Sequence, residues 1–286
     1  MIWALLSILS GFGDAVMFAL MKKLKGANNS ITVWVQFAFA LPFLLILLYF
    51  NYPQKINQNV YWIAILNGIL LIMSTYLILK AVQISNLSVS MPMLSLTPLF
   101  LILTSYIMIN ESPNFYGFIG IFLIVAGAYS INIKNYKNGF LAPFKTLFKD
   151  KGSFYVIIVA FLYSIAANLG KIGILQSNPI FYVFIVYFFA SVIMIPFITR
   201  KFNKKINEIK TNFNALSLLG ISSAFMMVTS AYAILIAIVP YVISLKRSSV
   251  VFTIFFGYFM FNEKNVKNAL IGTIAMLMGG ILITLF

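Results

Sequence analysis

Ten runs of roughly twenty predominantly apolar residues, each long enough to cross a bilayer as a helix, leave this chain few ways to fold. They fall at about 2–21, 31–50, 60–80, 86–109, 114–133, 153–175, 180–199, 214–236, 240–261 and 266–285. Hydrocarbon offers the backbone no hydrogen-bond partners, so each span has to satisfy its own amides as a helix. The predicted fold is an all-α integral membrane protein of ten transmembrane helices. Only 9% of the residues are charged, against roughly 25% in soluble domains, and the mean hydropathy is +1.00.

A constant shift of 152 residues superimposes Ala81 on Ala233, Ile102 on Ile254, Tyr106 on Tyr258, Asn110 on Asn262, Glu111 on Glu263, Gly120 on Gly272 and Gly127 on Gly279. The chain therefore reads as two five-helix units, 1–133 and 153–286, joined by a basic loop, 134–152, whose stretch 142–148 suits a short interfacial helix. An odd number of spans per unit sends the second copy into the membrane in the opposite sense. The expectation is an inverted repeat around a central cavity, with the binding site near the midplane between the two units.

The net charge of +15 sits almost wholly in the connections. Lys22, Lys23, Lys25, Lys80, five lysines in 134–151, Arg200, Lys201, Lys204, Lys205, Lys210, Lys264 and Lys267 follow odd-numbered spans, and little beyond Lys55 follows even ones. By the positive-inside rule the odd connections are cytoplasmic and both termini face outward. Basic residues so placed meet lipid headgroups, and nucleic acid is not expected as a partner. The first twenty residues lack a basic start and a cleavage site and read as a retained helix. There is no cysteine or histidine, which removes thiol chemistry, zinc sites and histidine acid–base catalysis. No GxxxxGK[ST] motif supports direct drive by ATP. No cofactor is expected.

Charges inside the spans mark the candidate site. Lys246 and Arg247 stand side by side in the ninth span, where each basic residue costs roughly 2.5–3.5 kcal/mol near a helix centre and survives facing protein, water or a ligand. Arginine forks two donors to a carboxylate or phosphate and lysine adds a point charge, so the pair suits an anionic group; the structural alternative is that Lys246 snorkels outward and Arg247 satisfies carbonyls or a carboxylate. On a continuous helix neighbours diverge by about 100°, which would turn only one of them to the cavity. Asp14, the one acid deep in a span, has three possible uses: binding a substrate amine, carrying a coupling proton, or neutralising the basic pair. From span position it lies about 18 Å below the outer face and Lys246 about 9 Å, so a bridge needs a long reach.

Asn168 and Lys171 in the sixth span, and Tyr76, Tyr163 and Tyr232 in spans expected to line the cavity, complete the substrate-binding candidates; snorkelling for Lys171 and packing for the tyrosines are the alternatives. Pro92 and Pro98 allow a bend in the fourth span. Gly120 with Gly127, and Gly272 with Gly279, permit close helix approach. Glu111 and Glu263, at the ends of spans, read as caps and loop anchors.

The segments SLTPLFLILTSYIMINE (95–111) and SLKRSSVVFTIFFGYFMFNE (244–263) resemble EamA-type members of the drug/metabolite transporter superfamily, in which each half ends a span with an acid and continues into a glycine-rich last span. The resemblance implies two EamA-like repeats, a basket of ten helices, a cavity lined mainly by the first, third and fourth spans of each half, and alternating access by rocking of the halves. The dibasic pair also looks like that of the phosphate-translocator branch. That branch adds a lysine from the fourth span, whereas 86–109 has no basic residue here.

The expected function is secondary active transport, as exporter or exchanger, of a small polar metabolite such as an amino acid or organic anion across a prokaryote-like cytoplasmic membrane. A proton, sodium or a counter-substrate is the possible coupling partner, and the protein acts as a monomer or homodimer. The alternative within transport is a proton-coupled exporter of cations or drugs that uses Asp14. A membrane enzyme lacks catalytic groups and a domain to hold them; saturable counterflow would separate a carrier from a channel or scramblase.

Overall fold

The computed structural model describes residues 1–130, 150–199, 202–263 and 266–285. The basic loop, apart from its last residues, and its proposed interfacial helix lie outside the described residues. All regular elements are helices: α1 (Ile2–Lys23), α2 (Asn29–Ala38), α3 (Leu41–Phe50), α4 (Asn59–Ile84), α5 (Leu87–Ser90), α6 (Thr97–Ile109), α7 (Phe115–Ser130), α8 (Lys151–Leu175), α9 (Pro179–Thr199), α10 (Phe202–Thr211), α11 (Phe213–Ile236), α12 (Val239–Lys246), α13 (Ser249–Phe261) and α14 (Val266–Leu285), with a 3₁₀ segment at Met91–Leu96. Among the described residues, eight helical stretches are long and apolar enough to cross a membrane, and two shorter apolar ones lie at Phe115–Gly127 and Ile274–Leu285.

Several spans are assembled from two helices, and the sequence shows why. Pro42 at the start of α3 removes an amide from the ladder, so α2 and α3 meet at a break within one span. Pro92 and Pro98 bracket the 3₁₀ segment between α5 and α6. The equivalent stretch 152 residues on also breaks: α12 stops at Lys246, Arg247 has ψ near zero, and α13 starts at Ser249. The dibasic pair is thus at a helix interruption and not inside a continuous helix, which corrects the expectation. Both α6 and α13 end on an asparagine in the left-handed conformation, Asn110 (φ 54) and Asn262 (φ 53), a helix stop that asparagine tolerates because its short amide bonds locally.

Packing joins the two parts of the chain more than it closes either one. Helix α1 lies against α11 and α13, α4 against α8, and α7 against α14. The last pair approaches through crossed glycines: a Cβ on Gly127 would stand 2.5 Å from the Gly272 carbonyl oxygen, and one on Gly279 would stand 2.5 Å from that of Gly120. Small residues allow this backbone contact where lipid gives no hydrophobic drive for association. Gly127→Ala should therefore destabilise by about 2–3 kcal/mol, because backbone cannot yield as a side chain can. Gly170→Ala, where nothing lies within 4 Å of the added methyl, should melt with the wild type. A thermal melt of both variants in detergent checks this, and equal melting temperatures would show that the glycine crossing tolerates bulk.

Candidate functional site

Asp14 is 2% exposed, on the face of α1 that meets the α12–α13 break. The approach depends on Gly11, whose added Cβ would stand 2.7 Å from the Lys246 carbonyl oxygen. The Lys246 ammonium lies 3.5 Å and the Arg247 guanidinium 3.8 Å from Asp14 Oδ2. Both basic side chains reach the same acid because the helix ends at Lys246, where a continuous helix would have set these neighbours about 100° apart. Lys246 also donates to the Met226 sulfur at 3.0 Å, and Arg247 Nε to the Ile243 carbonyl at 3.4 Å. Arg247 Nη1 is buried with no hydrogen-bond partner among the described residues.

These three charges line a cavity of about 80 Å³. Helices α1, α2, α4, α8, α9 and α11 contribute its walls together with the α12–α13 break. The contribution of α2 (Gln36, Phe37) and α9 (Tyr182, Val183, Tyr187) departs from a cavity made by first, third and fourth spans, and α6 contributes nothing. Apolar side chains dominate, among them Phe37, Leu71, Ile174, Met226 and Ile243. Two basic residues and one acid leave a surplus of one positive charge on the lining.

Among the sequence-predicted residues, Asp14, Tyr163, Lys246 and Arg247 line the cavity, and Asn168, Lys171, Tyr76 and Tyr232 do not. The amide of Asn168 is taken up by Ser105, which donates to Oδ1 at 2.7 Å, and by Thr104, which accepts from Nδ2 at 3.1 Å. Lys171 turns in to Glu111, 3.3 Å away, and donates to the carbonyls of Ile234 and Ala237. Tyr76 is 38% exposed beneath the Lys80 ammonium, and Tyr232 packs on the core. Sequence reading missed Gln36, Asn67, Tyr182 and Tyr187. A lone amide in an otherwise apolar span was the available signal for the first two.

The span-end acids cap across the chain. Glu263 accepts from the amides of Leu87 and Ser88, both at 3.0 Å, from the Ser88 hydroxyl at 2.7 Å, and from Lys22 at 2.6 Å. Glu111 accepts from the Val239 amide at 2.7 Å and pairs with Lys171. Leu87 and Val239 are 152 residues apart, as are the two acids. Each acid thus binds the first amide of the other's helix, where the helix dipole favours a negative charge.

The fold and site define a multi-pass membrane protein with a solute-sized, charge-bearing cavity inside its helical bundle. A family model of the EamA-like transporter family matches residues 1–133 and 150–285, and the chain belongs to that family, hence to the drug/metabolite transporter superfamily. Members of the family are transporters and not enzymes, and such a protein binds a small-molecule substrate in a lipid bilayer. A solved chain described only as "Crystal structure of protein" shares the fold, with a TM-score of 0.65 at 11% identity and 98% of each chain covered. No curated protein matches the sequence.

Proposed function

We propose that this protein is a secondary active transporter of a small polar metabolite bearing an anionic group, an amino acid or an organic anion, exported or exchanged across a prokaryote-like cytoplasmic membrane. The observation that carries this is Arg247: buried at 1% exposure, on the cavity wall, with a guanidinium nitrogen that has no hydrogen-bond partner among the described residues. An unpaired buried donor on a charge costs more than on a neutral group, and an incoming carboxylate or phosphate oxygen relieves that cost. Lys246 is the nearer partner of Asp14, which leaves Arg247 the freer cation.

The reading includes ten spans arranged as two inverted units, 1–133 and 153–286, with both termini outside and alternating access between them. The reciprocal capping at a 152-residue interval and the matching of the family over two separate stretches support the repeat; the basic residues of the odd connections support the orientation. The site takes its anion at the α12–α13 break, between the two units.

Ligand-dependent thermal stabilisation tests it. Carboxylates, zwitterions or phosphorylated metabolites should raise the melting temperature of the wild type and lose that effect in Arg247→Gln, which keeps the Asp14–Lys246 pair. Stabilisation by organic cations alone, equal in both proteins, would instead favour an exporter that binds its substrate at Asp14.

A further inference from the structure

We propose that the cavity holds a second subsite, made by the side-chain carbonyl oxygens of Gln36 on α2 and Asn67 on α4, which receives a substituted ammonium. The proposal rests on the reading of Arg247 as the anion contact and adds the opposite pole of the substrate. Both amides line the same cavity as Arg247, at 3% and 1% exposure, and neither Gln36 Oε1 nor Asn67 Oδ1 has a hydrogen-bond partner among the described residues.

The Asn67 oxygen is fixed as the free atom by its neighbour. Tyr182 has a single hydroxyl proton, and that hydroxyl donates to the Leu169 carbonyl at 3.2 Å. Asn67 donates its amide nitrogen to that hydroxyl at 2.8 Å, and its oxygen has no hydrogen-bond partner among the described residues. Tyr182 is itself held firmly, since Gly173 leaves its ring no room to move: a Cβ there would overlap the ring.

Two such oxygens are costly in an apolar wall unless a donor reaches them. An ammonium brings three donors to such acceptors, and its charge strengthens each bond. Anion at the α12–α13 break, ammonium toward α2 and α4, and Phe37, Leu71 and Ile174 around an apolar remainder together describe a zwitterion with a hydrophobic side chain.

The test compares three probes of one carbon skeleton on the purified full-length protein: leucine, 4-methylpentanoate and 3-methylbutylamine. Wild type should be stabilised by leucine by about 5 °C near saturation and clearly less by 4-methylpentanoate. That gap should close in one or both of Gln36→Leu and Asn67→Leu, with the 4-methylpentanoate shift unchanged. Gln36→Leu removes an unbonded oxygen, so its fold should not suffer even if loss of the Tyr182 contact weakens Asn67→Leu. A gap that persists in both variants, or the absence of any gap in the wild type, overturns the subsite. If neither carboxylate stabilises the wild type, the anion reading fails and 3-methylbutylamine decides alone: a shift lost in the variants supports the subsite, and no shift overturns it.

Discussion

Asp14→Asn should lower the melting temperature of the purified protein by roughly 10 °C. The carboxylate is the one acid on the cavity wall and lies within 4 Å of both Lys246 and Arg247. Its removal leaves two buried cations beside each other with no acid on the cavity wall among the described residues, and breaking a buried ion pair from one side costs about 3–5 kcal/mol. Adding Lys246→Met to the same chain should restore most of the loss, since one cation then remains where two were and methionine fills a similar volume. Equal melting of Asp14→Asn and wild type would show that the ion pairs at Asp14 add nothing to stability.

Glu263→Gln should show a defect that depends on pH. Burial pushes the Glu263 carboxyl upward, but the Lys22 ammonium and the Ser88 hydroxyl and amide outweigh it and hold the group below its ordinary value of 4.5. The folded chain then binds this proton less tightly than the unfolded chain does. The stabilisation is complete above pH 4.5 and is lost as the pH falls through the depressed folded-state value. At neutral pH the variant should be less stable by about 2–3 kcal/mol, having exchanged a charged acceptor of four hydrogen bonds for a neutral one. The difference from wild type should shrink below pH 4.5. A gap that stays constant into acid would mean that the shape of the side chain matters and its charge does not.

Hydropathy made the spans legible, because length in hydrocarbon is a property of each run by itself. The charged centre was legible by cost: Asp14, Lys246 and Arg247 are too expensive in lipid to be idle, and they do meet. What the sequence hides is the turn that lets both cations reach one acid, since nothing in PYVISLKRSS announces a stop at Lys246. In the fourth span Pro92 and Pro98 announce one plainly. Asn168 and Lys171 looked like cavity groups for the same reason that Asp14 did, but polar side chains inside a bundle satisfy one another as readily as they greet a solute. Ser105 on α6 and Glu111 just after its end supply those partners from sixty residues or so earlier in the chain, and local sequence holds no trace of that meeting. Gln36 and Asn67 escaped notice because a neutral amide is cheap enough in a membrane to pass as packing.

The exchange of acids between helix starts also bears on how the chain is made. Leu87 and Ser88 are synthesised long before Glu263, which follows Leu87 by 176 residues. Until the ribosome delivers that carboxylate, the start of α5 has its leading amides open, and Lys22 has no anion to meet. Val239 has no such wait, since Glu111 is already in the membrane when it emerges. The early part of the protein thus stays unfinished until the late part arrives, whereas the late part is completed on contact. A nascent chain arrested before Glu263 should accordingly be the form on which membrane quality control acts.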